Sequence, residues 1–130
     1  MRRALELAKR ARDEGEVPIG AIVVFQEEVL GEGWNRPIAA KDPTAHAEIQ
    51  AIRSASSSTG NYRLTGATLY VTLEPCDMCV GAMFHARIAR VVYGATDPKK
   101  QVLKNNVKIE GGVLAAECGQ ILSAFFAAKR

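Results

Sequence analysis

The chain has 130 residues, 48% hydrophobic and 24% charged, with a formal net charge of +3. That length suits one domain able to bury its own core, and the composition excludes collagen-like, coiled-coil and disordered chains. No apolar run approaches the about 20 residues that span a bilayer. The first residues, Met1-Arg2-Arg3-Ala4-Leu5-Glu6, carry charge without a following apolar run. They do not read as a signal peptide, and a cytoplasmic location is expected.

Residues 2–14 put Ala4, Leu5, Ala8 and Ala11 on one face, which predicts a helix stopped at Gly15. After Pro18, the apolar run 19–25 predicts a buried strand. Gln26-Glu27-Glu28 predicts a turn and 29–34 a second strand, so the two form a hairpin. Residues 35–43 predict a loop. Thr44 is placed to cap a helix through Ala45, Ile49 and Ile52 that ends near Ser56, and a polar connector runs on to Asn61. A strand is expected over 67–73, a helix over 76–86, and a strand over 88–93 closed by Gly94. A Lys-rich loop covers 96–106 and a short strand 107–109. A last helix over 113–129 turns Leu114, Cys118, Ile121, Leu122 and Phe125 inward. Helix, hairpin, then strands alternating with helices predicts a single α/β domain over 1–130. Its mixed sheet carries helices on both faces.

Cys76 and Cys79 form a Cys-x-x-Cys pair, and Cys118 stands alone at an apolar position. Without a secretion signal, the pair points to metal or redox chemistry before a structural disulfide. At spacing i, i+3 both side chains share one helix face. The free amides and dipole of a helix start favour thiolates there. Thr44-Ala45-His46-Ala47-Glu48 opens another predicted helix. His46 offers a neutral third ligand, and two thiolates with Zn²⁺ sum to zero charge. His85 lies about 240° around the helix from Cys79 and cannot easily reach the same ion. Three protein ligands with one position left for water distinguish a catalytic zinc site from a structural one. Glu48 can face that position without ligating and act as a proton shuttle. His-x-Glu combined with Pro-Cys-x-x-Cys is the signature of zinc nucleobase deaminases.

Around these residues the sequence resembles the bacterial tRNA-specific adenosine deaminases, which convert the wobble adenosine of an anticodon to inosine. The likeness includes Glu16-Val17-Pro18-Ile19-Gly20-Ala21, Gly33-Trp34-Asn35-Arg36-Pro37 and Asp42-Pro43-Thr44-Ala45-His46-Ala47-Glu48. It continues in Asn61-Tyr62-Arg63-Leu64, Leu69-Tyr70-Val71-Thr72-Leu73-Glu74-Pro75-Cys76, Gly81-Ala82-Met83 and Arg90-Val91-Val92-Tyr93-Gly94-Ala95. Gly112-Val113-Leu114-Ala115 and Phe125-Phe126 extend it toward the end of the chain. The resemblance implies a three-layer α/β/α fold with a five-stranded mixed sheet of the cytidine-deaminase type, and a homodimer. It implies one zinc per subunit on His46, Cys76 and Cys79, with Glu48 moving protons. It also implies that Asn35 hydrogen-bonds the flipped base and that Ile19, Ala47 and Pro75 border it. Asp97 and Lys99 are implied near adjoining nucleotides and Phe126 near the anticodon loop.

Taken alone, Asn35 reads as a turn residue, which its Trp-Asn-Arg-Pro context reverses, and Lys99, Lys100, Lys104 and Lys108 read by default as a solvated loop, with phosphate contact as the alternative. The chain departs from the family after Lys100, where only residues 101–106 precede the last predicted strand. Two rival functions share the zinc signature. One is a deaminase of free guanine or cytosine, and the other a noncatalytic zinc module that binds RNA. Glu48 argues against the second, because a binding module has no use for a carboxylate facing the open zinc position.

Overall fold

Helix α1 (Arg2–Asp13) buries Ala4, Leu5, Leu7, Ala8 and Ala11, the face expected from its periodicity. In the computed structural model, which describes residues 1–97 and 107–129, it is followed by the hairpin β1 (Gly20–Phe25) and β2 (Glu28–Trp34). The turn between them puts Gln26 and Glu27 at positive φ. Next come a short helix α2 (Pro37–Ala40), then α3 (Ala47–Thr59), β3 (Thr68–Leu73), α4 (Asp77–His85) and β4 (Arg90–Ala95). β5 (Lys108–Glu110) and α5 (Ala115–Ala128) complete the order. No helix among the described residues is long and apolar enough to cross a membrane.

The five strands form one mixed sheet in the order β2-β1-β3-β4-β5. β1 is antiparallel to β2 and β3, whereas β3, β4 and β5 run parallel. One layer holds α3 and α4, whose Ala47, Ala51, Ala55, Cys79 and Met83 meet Val23, Leu69, Val71 and Val91. The other holds α1 and α5, whose Leu5, Ala8, Cys118 and Ile121 close over Ala95 and Leu73. The sheet is thus covered on both faces, as the alternating pattern predicts.

The strand directions decide where a site can form. Gly20 at the start of β1 pairs with Trp34 at the end of β2. Leu73 at the end of β3 pairs with Ala95 at the end of β4. Because β1 and β3 are antiparallel, all four positions lie at one end of the sheet. The segments leaving that end are 14–19, 35–46, 74–76 and 96–97, and they carry Ile19, Asn35, His46, Pro75, Cys76 and Asp97.

α3 lies unusually close to β2. A Cβ on Gly33 would stand 2.3 Å from the carbonyl oxygen of Ala47 and 2.4 Å from the amide of Ala51. A Cβ on Gly31 would stand 2.3 Å from the amide of Ala55. Two strand glycines facing three helix alanines let backbone meet backbone, and this seam sets the height of α3 over the sheet.

Four expectations need correction. Thr44 does not cap α3. The N-cap is His46, and Thr44 instead donates its amide and hydroxyl to Asp42 Oδ1 at 2.9 and 2.7 Å. This local turn uses the bonding capacity a cap would need. The stretch 35–43 is not all loop, since Pro37 starts α2 with the fixed φ suited to a first helical position. α3 continues through the expected connector to Thr59, because Ser58 and Thr59 bond back to the carbonyl of Ala55. Gly94 does not close β4 but lies inside it, where a Cβ would stand 2.5 Å from Cys118 Sγ.

Gly33→Ala is expected to destabilise the protein by about 2 kcal/mol, the cost of overpacking against backbone that cannot yield. Gly119→Ala, in mid-α5 with nothing within 4 Å of the added carbon, is expected to stabilise by about 0.5–1 kcal/mol through helix propensity. Urea midpoints of the two variants check both signs.

Candidate metal centre and active site

Two helices begin at the same place. His46 is the N-cap of α3 and Cys76 the N-cap of α4, both with extended backbone (φ −69°, ψ 155° and φ −79°, ψ 169°). Neither side chain bonds its own helix end. An N-cap side chain ordinarily folds back on the first-turn amides, and here both turn outward to each other. His46 Nδ1 lies 3.6 Å from Cys76 Sγ and 3.6 Å from Cys79 Sγ. Cys79 stands in the first turn of α4 and is fully buried. The three ligand atoms all lie within 4.8 Å of one another.

Electrostatics at this point favour a cation held by thiolates. The N-termini of a 13-residue and a 9-residue helix converge, and each contributes a positive dipole end. The thiols share their protons unequally. Hydrogen bonds from Cys79 and then His46 bring Cys76 down to about 3. Bonding to Cys76, burial and the charge of Glu48 push Cys79 up. A divalent metal bound by both sulfurs would displace the protons they carry. Among the described residues the donor group has three members, one imidazole and two thiols. That set suits zinc, and three donors are the number a hydrolytic zinc centre draws from its protein.

Glu48 occupies the first turn of α3 and is only 4% exposed. Its influence on Cys79, by charge and by hydrogen bond, places its carboxyl beside the sulfur. Between His46 and Glu48, the amide of Ala47 donates to Asn35 Oδ1 at 2.9 Å. Asn35 is itself buried and its amide donates to the carbonyl of Ile19 at 3.0 Å. Asn35, Ile19 and Ala47 thus form a connected wall next to the metal cluster. Pro75 is buried immediately before Cys76. The Asp97 amide donates to Glu74 Oε1 at 3.0 Å, which ties the end of β4 to the entry of α4.

The structure does not gather every expected residue here. Phe126 is 48% exposed against Phe125 on α5, in the layer opposite α3 and α4. Lys99 lies outside the described residues, as do Lys100, Lys104 and the short stretch 101–106. Cys118 is fully buried, in agreement with its reading as core. Trp34 is a packing residue, with the Arg10 guanidinium 3.9 Å from its ring centre and its indole N–H donating to Glu14. Sequence reasoning missed Glu16 and Thr72 as site-shaping residues. Thr72 is fully buried and accepts the Gly20 amide at 3.2 Å, securing the chain just after Ile19. Spacing carried no sign of either role, because both partners are remote in the chain.

A histidine and two cysteines paired with a buried carboxyl, at the ends of two helices over a mixed sheet, define the class of zinc hydrolases. The cytidine and deoxycytidylate deaminase zinc-binding region matches residues 1–95, and the chain belongs to that family. It is 48% identical to a tRNA-specific adenosine deaminase of Haemophilus influenzae, covering 100% of this chain and 83% of that protein. A solved structure from work on A-to-I editing by tRNA:A34 deaminases at the wobble position superposes with a TM-score of 0.87 and 41% identity. That match covers 92% of this chain and 95% of the other. A guanine deaminase from Bacillus subtilis superposes with a TM-score of 0.69 and 41% identity over 73% of this chain and 61% of its own.

The purified protein is expected to carry about one zinc per chain, measured by metal analysis. His46→Ala or Cys79→Ala should abolish that stoichiometry, and chelation should lower the melting temperature of the wild type but not of these variants.

Proposed function

We propose that this protein is a zinc-dependent deaminase that hydrolyses the wobble adenosine of a tRNA anticodon to inosine. The observation that carries the reading is the buried Glu48 carboxyl beside the His46, Cys76 and Cys79 cluster. His46, Cys76 and Cys79 would hold the zinc, which when bound supplies an acidified water. Glu48 takes one proton from the attacking water and delivers it to N1 of the base as the water oxygen bonds C6. It then carries the remaining hydroxyl proton from that oxygen to the exocyclic amine, so that a C6=O group forms, the C6–N bond breaks and ammonia leaves.

Asn35 sets which edge of the base faces the metal. Its Oδ1 is engaged by the Ala47 amide, so its Nδ2 is presented as a donor. With N1 of the base served by Glu48, the remaining ring acceptor on the C6 side of a purine is N7. Ile19, Ala47 and Pro75 border the same space. Asp97, whose amide is held by Glu74, meets neighbouring nucleotides, Lys99 is assigned to the same contacts from the family resemblance alone, and Phe126 is offered to the anticodon loop. The relatives named as tRNA-specific adenosine deaminases support the RNA substrate. The family resemblance supports a cytoplasmic homodimer.

The second reading is a free-base guanine deaminase. It is favoured by the likeness to the Bacillus subtilis enzyme, and by an Asn35 donor that suits N7 of either purine. Incubation with an anticodon stem-loop carrying adenosine at the wobble position should yield inosine, and free guanine should not turn over. Glu48→Gln is expected to lower kcat by about 10²–10⁴-fold while retaining zinc and the wild-type circular dichroism spectrum. Undiminished turnover by that variant would refute the proton-shuttle role.

A further inference from the structure

Glu16 is a carboxylate with 2% exposure, and it belongs to no element. Its own amide donates to the Ala11 carbonyl at 2.9 Å, which anchors it to the end of α1. Its side chain reaches across 22 residues. Oε1 accepts the amide of Ile38 at 3.2 Å, and Oε2 accepts the amide of Ala39 at 2.8 Å. These are the first-turn amides of α2, after Pro37, which has no N–H to offer. The N-cap Arg36 makes no side-chain cap bond. A four-residue helix has no stability of its own, so this remote carboxylate stands where a local cap is missing.

The segment so held is the one that carries Asn35. It is fastened at its start by the Asn35 amide to Ile19 and the Arg36 amide to Ala45, both at 3.0 Å. Between those bonds the chain makes a twelve-residue excursion to His46, and Glu16 holds its middle. Ile38 at the tip is 74% exposed, so no packing of its own side chain keeps α2 in place. The Glu16 carboxylate binds two adjacent amides with charge-assisted bonds and is shielded from water that would compete for them.

The geometry points to Glu16 as a positioning residue for base recognition: by clamping α2 it fixes the direction of the Asn35 amide toward the purine N7. This rests on the assignment of Asn35 to N7 made above. A buried anion bonded to two amides would serve folding alone if it only closed a turn. The difference is that a positioning role depends on the atom that Asn35 contacts, and a folding role does not.

The test uses the full-length zinc protein and two anticodon stem-loops, with adenosine or 7-deazaadenosine at the wobble position. Glu16→Gln keeps the shape but turns one acceptor into a donor that faces an amide. Ile38→Pro removes one of the two clamping N–H groups at a solvent-exposed position, and so reports on the same clamp from its other side. On adenosine, each variant with wild-type zinc content should lose about tenfold in kcat/KM, the scale of a misplaced contact. On 7-deazaadenosine, where N7 is absent, each should lose less than about twofold relative to wild type, because coupled losses do not add. An equal loss on both substrates, or no loss on adenosine in both variants, overturns the role of Glu16. If the wild-type enzyme handles the two substrates alike, the Asn35–N7 contact fails, and the positioning role fails with it. If Glu16→Gln does not fold, Ile38→Pro decides the question by the same comparison.

Discussion

The close seam between α3 and β2 is the constraint on which the rest of the site depends. Gly31 and Gly33 face Ala47, Ala51 and Ala55 with no side chain between the backbones. That contact lowers the first turn of α3 until His46 stands 3.6 Å from the sulfurs of α4. A methyl group anywhere along it would lift the helix by a fraction of its packing distance. Metal coordination tolerates errors of only about 0.2 Å, so the ligand cluster inherits its accuracy from this seam.

A second level of order is polar and runs through the connections rather than the elements. Asn35 bonds Ile19 and Ala47, Thr72 bonds Gly20, Glu74 bonds Asp97 and Glu16 bonds α2. All of these bonds lie at the same end of the sheet or in the segments that leave it. Loops at the mouth of a site are normally the mobile part of a domain. Here buried side chains satisfy their amides, which fixes the walls before a substrate arrives. Preorganisation of this kind reduces what binding must spend on ordering the enzyme.

Charge enters at the junction of the two helices. Hydrogen bonds from Cys79 and His46 favour a thiolate at Cys76, while the bond to Cys76, burial and the charge of Glu48 oppose one at Cys79. A divalent cation would resolve the conflict by neutralising both sulfurs.

Much of this was legible in the sequence. The hairpin, the parallel βαβ unit and the outer helices follow from apolar periodicity, because burial of one face repeats at the pitch of each element. The metal donors were equally legible, since Cys76 and Cys79 share a helix face at spacing i, i+3, and His46 and Glu48 flank a helix start. The N-cap of α3 was not, because Thr44 and His46 compete for that place and a bond to Asp42 decides it. Nor was Glu16, whose partners lie more than twenty residues away. The sequence by itself determined which elements form and which side chains can bind a metal, because those depend on neighbours along the chain. The tertiary structure alone decided which connections meet, which amides a buried carboxylate must satisfy, and which way Asn35 points, because those depend on groups that only folding brings into contact.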